Sequence, residues 1–306
     1  MPSKEFNYDE MRIRGNLMKR NTADDAWMPM LSDPLVAYIR SNGSDATGDG
    51  SPMKPYATCQ KAVDEGFTVL DRGVGADAGI TLGGGDVTLS VRGCGIYRSS
   101  IAFIRNPGGT TTVYDIAGNS ILLSEINTAP ASPSGTTRAG GNQNLYNVVF
   151  GNLIADGSSG LSSGDPIADG GAGGVISLYG NFSGANVATS GGAGGGGDGS
   201  NPSGSGGAAG QIIFDGPGIV TDAITCLPGS PGSDGGGGTG SDGSPGAIYC
   251  RRGCSVPTPS LGVGSLIVTG ATVGGHFITA PNLVADGTYT PVTTIEVTGG
   301  SITSIT

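Results

Sequence analysis

The 306-residue chain predicts an all-β fold whose second half is a stack of repeated units, and three observations carry that prediction. Sixty residues are glycine, about three times the usual share. Glycine inside a helix costs roughly 0.5–1 kcal/mol against alanine, so a helical bundle is excluded. Short apolar runs alternate with small and polar residues, the pattern of half-buried strands. Gly174-Val175-Ile176-Ser177-Leu178 aligns with Gly210-Gln211-Ile212-Ile213-Phe214, and again with Gly246-Ala247-Ile248-Tyr249-Cys250, each 36 residues on. Val187 and Ile224 repeat the step at 37. Units of this period bury a face only against their neighbours. Charged residues are 13 % of the chain, too few for a solvated disordered polymer. Gly-X-Y does not run through the sequence, which excludes collagen.

Residues 1–33 hold five of the 15 basic residues, six acids and the single tryptophan. They read as an N-terminal attachment arm, partly helical, with Trp27, Met28 and Met30 as the contacts buried on a partner; a flexible terminus is the plainer alternative. Residues 34–160 read as a β-rich body. Leu35–Arg40 is β-prone, Asn42-Gly43-Ser44-Asp45 and Gly48-Asp49-Gly50-Ser51 are turn clusters, and residues 52–66 read as a short amphipathic helix covering the end of a β stack. Proline is tolerated in such a helix's first turn, and Tyr56, Cys59 and Val63 fall on one face. Strands follow at Ile80–Leu82, Val87–Val91, Ile101–Phe103, Val113–Ile116, Ile121–Leu123 and Val148–Phe150, with residues 127–144 as an exposed polar loop.

Residues 161–260 form a glycine-rich repeat section. Gly191, Gly194 and Gly197 are three apart, as are Gly204, Gly207 and Gly210, then Gly229 to Gly238 and Gly240 to Gly246. Three residues per turn is the polyproline-II period. Two readings stand side by side: flexible linkers, or helices with a bare glycine edge that approach backbone to backbone. Residues 261–306 form a C-terminal β segment. Ser265–Val268 and Ile295–Val297 are β-prone there, and a Gly299-Gly300 turn sets Val297 across from Ile302.

One motif is more specific. Tyr38-Ile39, Gly43-Ser44-Asp45, Gly48-Asp49-Gly50-Ser51, Pro55-Tyr56-Ala57-Thr58 and Gln60-Lys61-Ala62-Val63-Asp64 precede a strand that leads to Gly95-Ile96-Tyr97. This order resembles the entrance of right-handed parallel β-helix proteins of bacteriophage tails and of related pectate-lyase-like proteins. The resemblance covers residues 35–105. It implies a right-handed parallel β-helix-like body with a cap helix, a homotrimer, and a place in the virion with other virion proteins bound through the arm. The phased glycine runs are similar to the polyglycine-II helices of phage tail-fibre tip adhesins.

Chemistry is sparse. His276 is the only histidine, and no G-x-S-x-G elbow accompanies it. Cys250 and Cys254 make a single pair where structural zinc needs four ligands, so they and Cys59, Cys94 and Cys226 read as ordinary thiols. Asp45 and Asp49 miss the EF-hand spacing and read as side chains closing their own turns. No lysine follows the glycine runs as a P-loop requires. No catalytic residue, metal ligand or cofactor is therefore assigned.

A net charge of −10 argues against nucleic-acid binding, and no stretch approaches the ~20 apolar residues of a membrane helix. The polar start Met1–Phe6 reads as no signal peptide, as for a protein made in the cytoplasm and released in virions. All lysines lie in the first 61 residues, and after Arg138 the only cations are Arg251 and Arg252. With Tyr249 they are the candidate receptor or subunit contact, an exposed turn being the alternative.

The expected function is a phage virion structural and adhesion protein, a tail or surface fibre presenting loops to a host glycan or protein. A polysaccharide depolymerase tailspike and a capsid decoration or filament subunit are the rivals. Cleavage would need two carboxylates ~5–9.5 Å apart, and few aromatics are available to stack sugars; a non-enzymatic role is favoured.

Overall fold

The computed structural model describes residues 10–13, 16–21, 26–29, 36–73, 79–93, 100–114, 121–130, 138–161, 168–197, 201–233, 238–261, 264–278, 295–298 and 301–305. In chain order the first elements are β1 (Glu10–Ile13), β2 (Asn16–Asn21), β3 (Ala26–Pro29), β4 (Val36–Ile39), α1 (Cys59–Asp64), β5 (Val69–Arg72), β6 (Gly79–Thr81), β7 (Val87–Gly93), β8 (Ser100–Arg105), β9 (Thr111–Tyr114) and β10 (Ile121–Asn127). There follow β11 (Gln143–Ile154), β12 (Val175–Ala188), β13 (Gln211–Asp215), β14 (Gly218–Thr225), β15 (Ala247–Arg251), β16 (Ser255–Val256), β17 (Ser265–Thr269), β18 (Ala271–Val273), β19 (His276–Ile278), β20 (Ile295–Thr298) and β21 (Ser301–Ile305). The chain is all-β, with one long parallel sheet and a single six-residue helix among the described residues. That architecture is compatible with a β-helix.

The long sheet consists of two walls. One runs β4-β5-β7-β9-β11-β12-β13-β15-β17, every neighbour parallel. The other runs β6-β8-β10-β11-β12-β14-β16-β18, also parallel, and ends on the antiparallel β19. Strands β11 and β12 belong to both walls and bend between them. Asn147 makes the bend in β11 at φ 53°, and Gly180 makes it in β12 at φ 68°; glycine, and asparagine among the others, tolerates this left-handed region best. The Asn147 amide oxygen accepts from Asn181 N at 3.0 Å, which ties the two bends together.

Apolar side chains of both walls meet inside. Leu145, Leu178, Phe214, Cys250 and Val268 fill one buried row, and Ile126, Leu153, Val187 and Ile224 are buried in the other wall. The Phe182 and Phe214 rings join the walls with centroids 5.6 Å apart. Parallel pairing sets Val175 opposite Gln211 and Gln211 opposite Ala247, so the sequence spacing of 36 is also the pairing register. Val187 likewise faces Ile224.

Several expectations need correction. The helix starts at Cys59, not Pro52, because Thr58 caps it by accepting from Lys61 N and residues 51–54 form a bend. Its buried face is Cys59 and Ala62; Tyr56 precedes it and bridges to Ile39. The ends of the expected 127–144 loop belong to the wall: Thr128, Gly140, Gly141 and Gln143 are buried, and Thr128 Oγ1 donates to Gly141 O at 2.7 Å. In the arm, β1, β2 and β3 form an antiparallel sheet where helix was expected. At the C-terminus β20 and β21 pair antiparallel, with Val297 opposite Ile302.

Candidate interaction surface

Three long glycine-rich excursions leave the second wall and return to the first. Each has an outgoing run (155–161, 189–197, 226–233) and a returning run (168–174, 203–210, 238–246). Their backbones bond to one another every third residue. In the middle excursion Gly204, Gly207 and Gly210 donate to Gly195, Gly192 and Thr189, running antiparallel. Gly192 and Gly195 donate back to Gly171 and Ala168 of the first excursion. Gly191, Gly194 and Gly197 donate forward to Leu227, Ser230 and Ser233 of the third, while Ser190 and Ala193 accept from Gly157 and Gly160. The 189–197 run is thus held by four neighbours.

The three edges of the run explain its composition. A Cβ at Gly191 would overlap the Gly207 carbonyl and sit 2.7 Å from Ala208 O; one at Gly192 would overlap the Ser158 carbonyl. Beyond Thr189, whose hydroxyl donates to Gly174 O, side chains stand on the remaining edge, at Ser190 and Ala193. Side chains also tie layers together: Asp156 Oδ1 accepts from Ser190 N at 2.6 Å, and Asp169 Oδ1 accepts from Ser205 N at 2.6 Å. Burial raises the Asp156 pKa, partly offset by the Ser190 hydrogen bond.

At the far end of the first wall the candidate contact residues come together. The Arg251 guanidinium lies 5.2 Å from the Tyr249 ring centroid, within cation–π range. Arg252 adopts φ 54° and is followed by Gly253 at 78°. This turn carries its Nε to 3.0 Å from Asp215 Oδ1. The contact is an ion pair, but its angle falls outside hydrogen-bonding geometry. Asp215 was not foreseen from sequence; it sits one coil back, opposite Arg251 in the register. The same row holds Tyr179 and Tyr146, whose rings stack at 4.8 Å and 20°. The signal for both was available in the register offsets, 36 from Tyr179 to Asp215 and 33 from Tyr146 to Tyr179. Trp27 and Met28 lie in β3, paired with Arg20 and Lys19 through the backbone; Met30 lies outside the described residues.

The turn aspartates have structural work. Asp45 accepts from Ala57 N, Thr58 N and Thr58 Oγ1 at 2.8, 3.1 and 2.7 Å. Burial works to raise its pKa, but these bonds together outweigh it and hold the carboxyl low. Asp49 accepts from Ser51 N, and its pKa is lowered by Ser51. No group of three metal-ligating side chains occurs among the described residues, and no described helix is long and apolar enough to cross a membrane. Cys59, Cys226, Cys250 and Cys254 are buried. The hydrogen bond with Cys254, and then burial, push the Cys250 thiol up. An assembly of backbone bonds, stacked rings and one cation–π pair is suited to packing and recognition.

No protein-family model, curated protein or solved structure matches the chain.

Proposed function

We propose that this chain is a bacteriophage virion protein, a tail fibre or surface fibre with a structural and adhesive role. In this reading the body is a parallel β-helix entered beneath α1, the excursions pack as polyglycine-II helices, the arm binds other virion proteins, and the mature form is a homotrimer. The observation that carries the reading is the parallel ladder from β4 to β17, nine strands deep. At ~4.8 Å per strand it makes a rod segment about 38 Å long. The glycine runs stiffen its flank, because a run bonded to four neighbours cannot bend alone.

Adhesion would use the Tyr249, Arg251 and Arg252 end of the wall. Two cations beside tyrosines in an otherwise acidic chain favour an anionic partner such as an acidic host glycan. The test has two arms. Antibody to the purified chain should label fibres on intact particles, and native mass spectrometry should give three chains. Arg251→Ala, which leaves the Arg252–Asp215 ion pair in place, should weaken binding to host cells without changing the thermal midpoint. Absence of label on particles would sink the virion reading, and unchanged cell binding would remove this surface from it.

A further inference from the structure

The third excursion differs from the first two in a way that follows their hydrogen bonds. Gly157 and Gly160 donate to the second excursion; Gly191 and Gly194, in the same positions one layer on, donate to the third. The equivalent positions of the third layer are set by Gly192 and Gly229, which donate to the returning run one place earlier in the stack, to Gly171 and Gly207. Counting from Gly229 puts Pro228 and Pro231 where Gly191 and Gly194 stood. The returning runs behave alike. Gly170 and Gly173 donate to Ser205 and Ala208, and Gly206 and Ala209 donate to Ser241 and Ser244. Gly207 and Gly243 fix the alignment, and it puts Asp242 and Pro245 at the next positions.

Proline has no N–H to give. Three of the positions that join one layer to the next are therefore proline in the last layer and in neither earlier one. A fourth, Asp242, carries a charge. The outer part of this face meets solvent: Ser230, Ser233, Ser241, Asp242, Ser244 and Pro245 are exposed and Pro228 and Pro231 half-buried, while among the described residues Ser260 and Ser265 bond only its inner ends, at Cys226 and Gly246. The opposite side of the lattice is covered by the chain itself, where Ser158 N donates to Arg138 O and Gly140 N donates to Ala172 O.

We infer that the third excursion is a finished face: its prolines prevent the same face of a second copy from pairing with it, and the lattice stays three layers deep. A sheet edge needs the same protection from further pairing. The inference does not rest on the proposed function, and it separates two of the structural readings, since a filament grown by stacking glycine layers would need this face open.

The test is a Pro228→Gly, Pro231→Gly, Pro245→Gly, Asp242→Gly variant of the full chain, with the wild type's own oligomer as reference. Sedimentation velocity should give a concentration-independent mass for the wild type and at least a doubling for the variant. Amide exchange over residues 227–245 should slow in the associated variant. If the fourfold change prevents folding, judged by circular dichroism, Pro231→Gly with Asp242→Gly is read the same way. An unchanged mass, or association without protection at 227–245, overturns the inference. So does a wild-type Ser241→Cys protein that forms copy-to-copy disulfides in high yield.

Discussion

Gly192→Ala tests whether the glycine runs are a packed lattice or linkers. Gly192 is buried, donates to Gly171 O and accepts from Gly207 N, both at 2.8 Å. An added Cβ would overlap the Ser158 carbonyl and stand 2.9 Å from Ser159 N. Both obstacles are backbone, so relief requires one run to move away from another. Losing the two bonds costs about 1–3 kcal/mol at ~0.5–1.5 each, and overpacking adds about 1–3. The alanine's lower entropy in the unfolded chain gives back about 0.4–1. The net expectation is a destabilisation of about 1–5 kcal/mol. Ala193→Ser, on the edge that carries side chains, should stay within ~0.5 kcal/mol. Urea unfolding, with hydrogen exchange at 157–160 and 204–207, reads both. Equal stability of the two variants would show that the runs are not packed, and the whole account of the excursions would fall.

Other consequences are smaller. Asp45→Ala removes three acceptor bonds at the entrance and should destabilise by about 1–3 kcal/mol, seen as faster exchange at Ala57 and Thr58. The Asp45 carboxyl is held low in the folded state, so its contribution is complete above the unfolded value of ~3.9 and is lost as pH falls through the folded one; exchange at Ala57 should quicken only in strong acid. Asp156 has the opposite sign. Its folded pKa is raised, so its ionisation penalises folding above that value and the penalty disappears on acidification. Asp156→Asn, which can still accept from Ser190 N, should therefore raise stability at neutral pH and not at pH 3. Cys226 is pushed up to about 11 by burial and should resist iodoacetamide at pH 8 until the protein is unfolded.

Part of this was legible in the sequence for a simple reason. In a parallel stack, the distance between matching residues along the chain equals their pairing offset. The repeats at 174, 210 and 246 therefore state the register of β12, β13 and β15 before any coordinates exist. Contacts across coils were harder to see. Arg252 reaches Asp215 only because residue 252 turns left-handed, and Tyr146 meets Tyr179 at 33 because the coil between them is shorter. Composition misled at 127–144, where polarity suggested solvent. Thr128 and Gln143 are buried there because interior backbone carbonyls need donors: Thr128 Oγ1 bonds Gly141 O, and Gln143 Nε2 bonds Ile154 O at 2.8 Å. Pro228, Pro231 and Pro245 carry no signal in the sequence alone; the bonds of the preceding layer give their positions a meaning.

The contrast between positions 194 and 231 isolates that meaning. They are one position in two layers, glycine inside and proline outside. Gly194 N donates to Ser230 O at 2.9 Å, and a Cβ there would overlap the Gly204 carbonyl and lie 2.8 Å from Ser205 O. Gly194→Pro deletes the bond and drives a ring into the returning run, so a loss of about 3 kcal/mol or more is expected, the scale seen for proline inside a hydrogen-bonded element. Pro231→Gly removes no bond within the chain. It should cost only the added freedom of the unfolded state, about 0.4–1 kcal/mol. If position alone governed proline tolerance, the two changes would be similar in size; the layer decides because only the inner one has a neighbour waiting for its N–H.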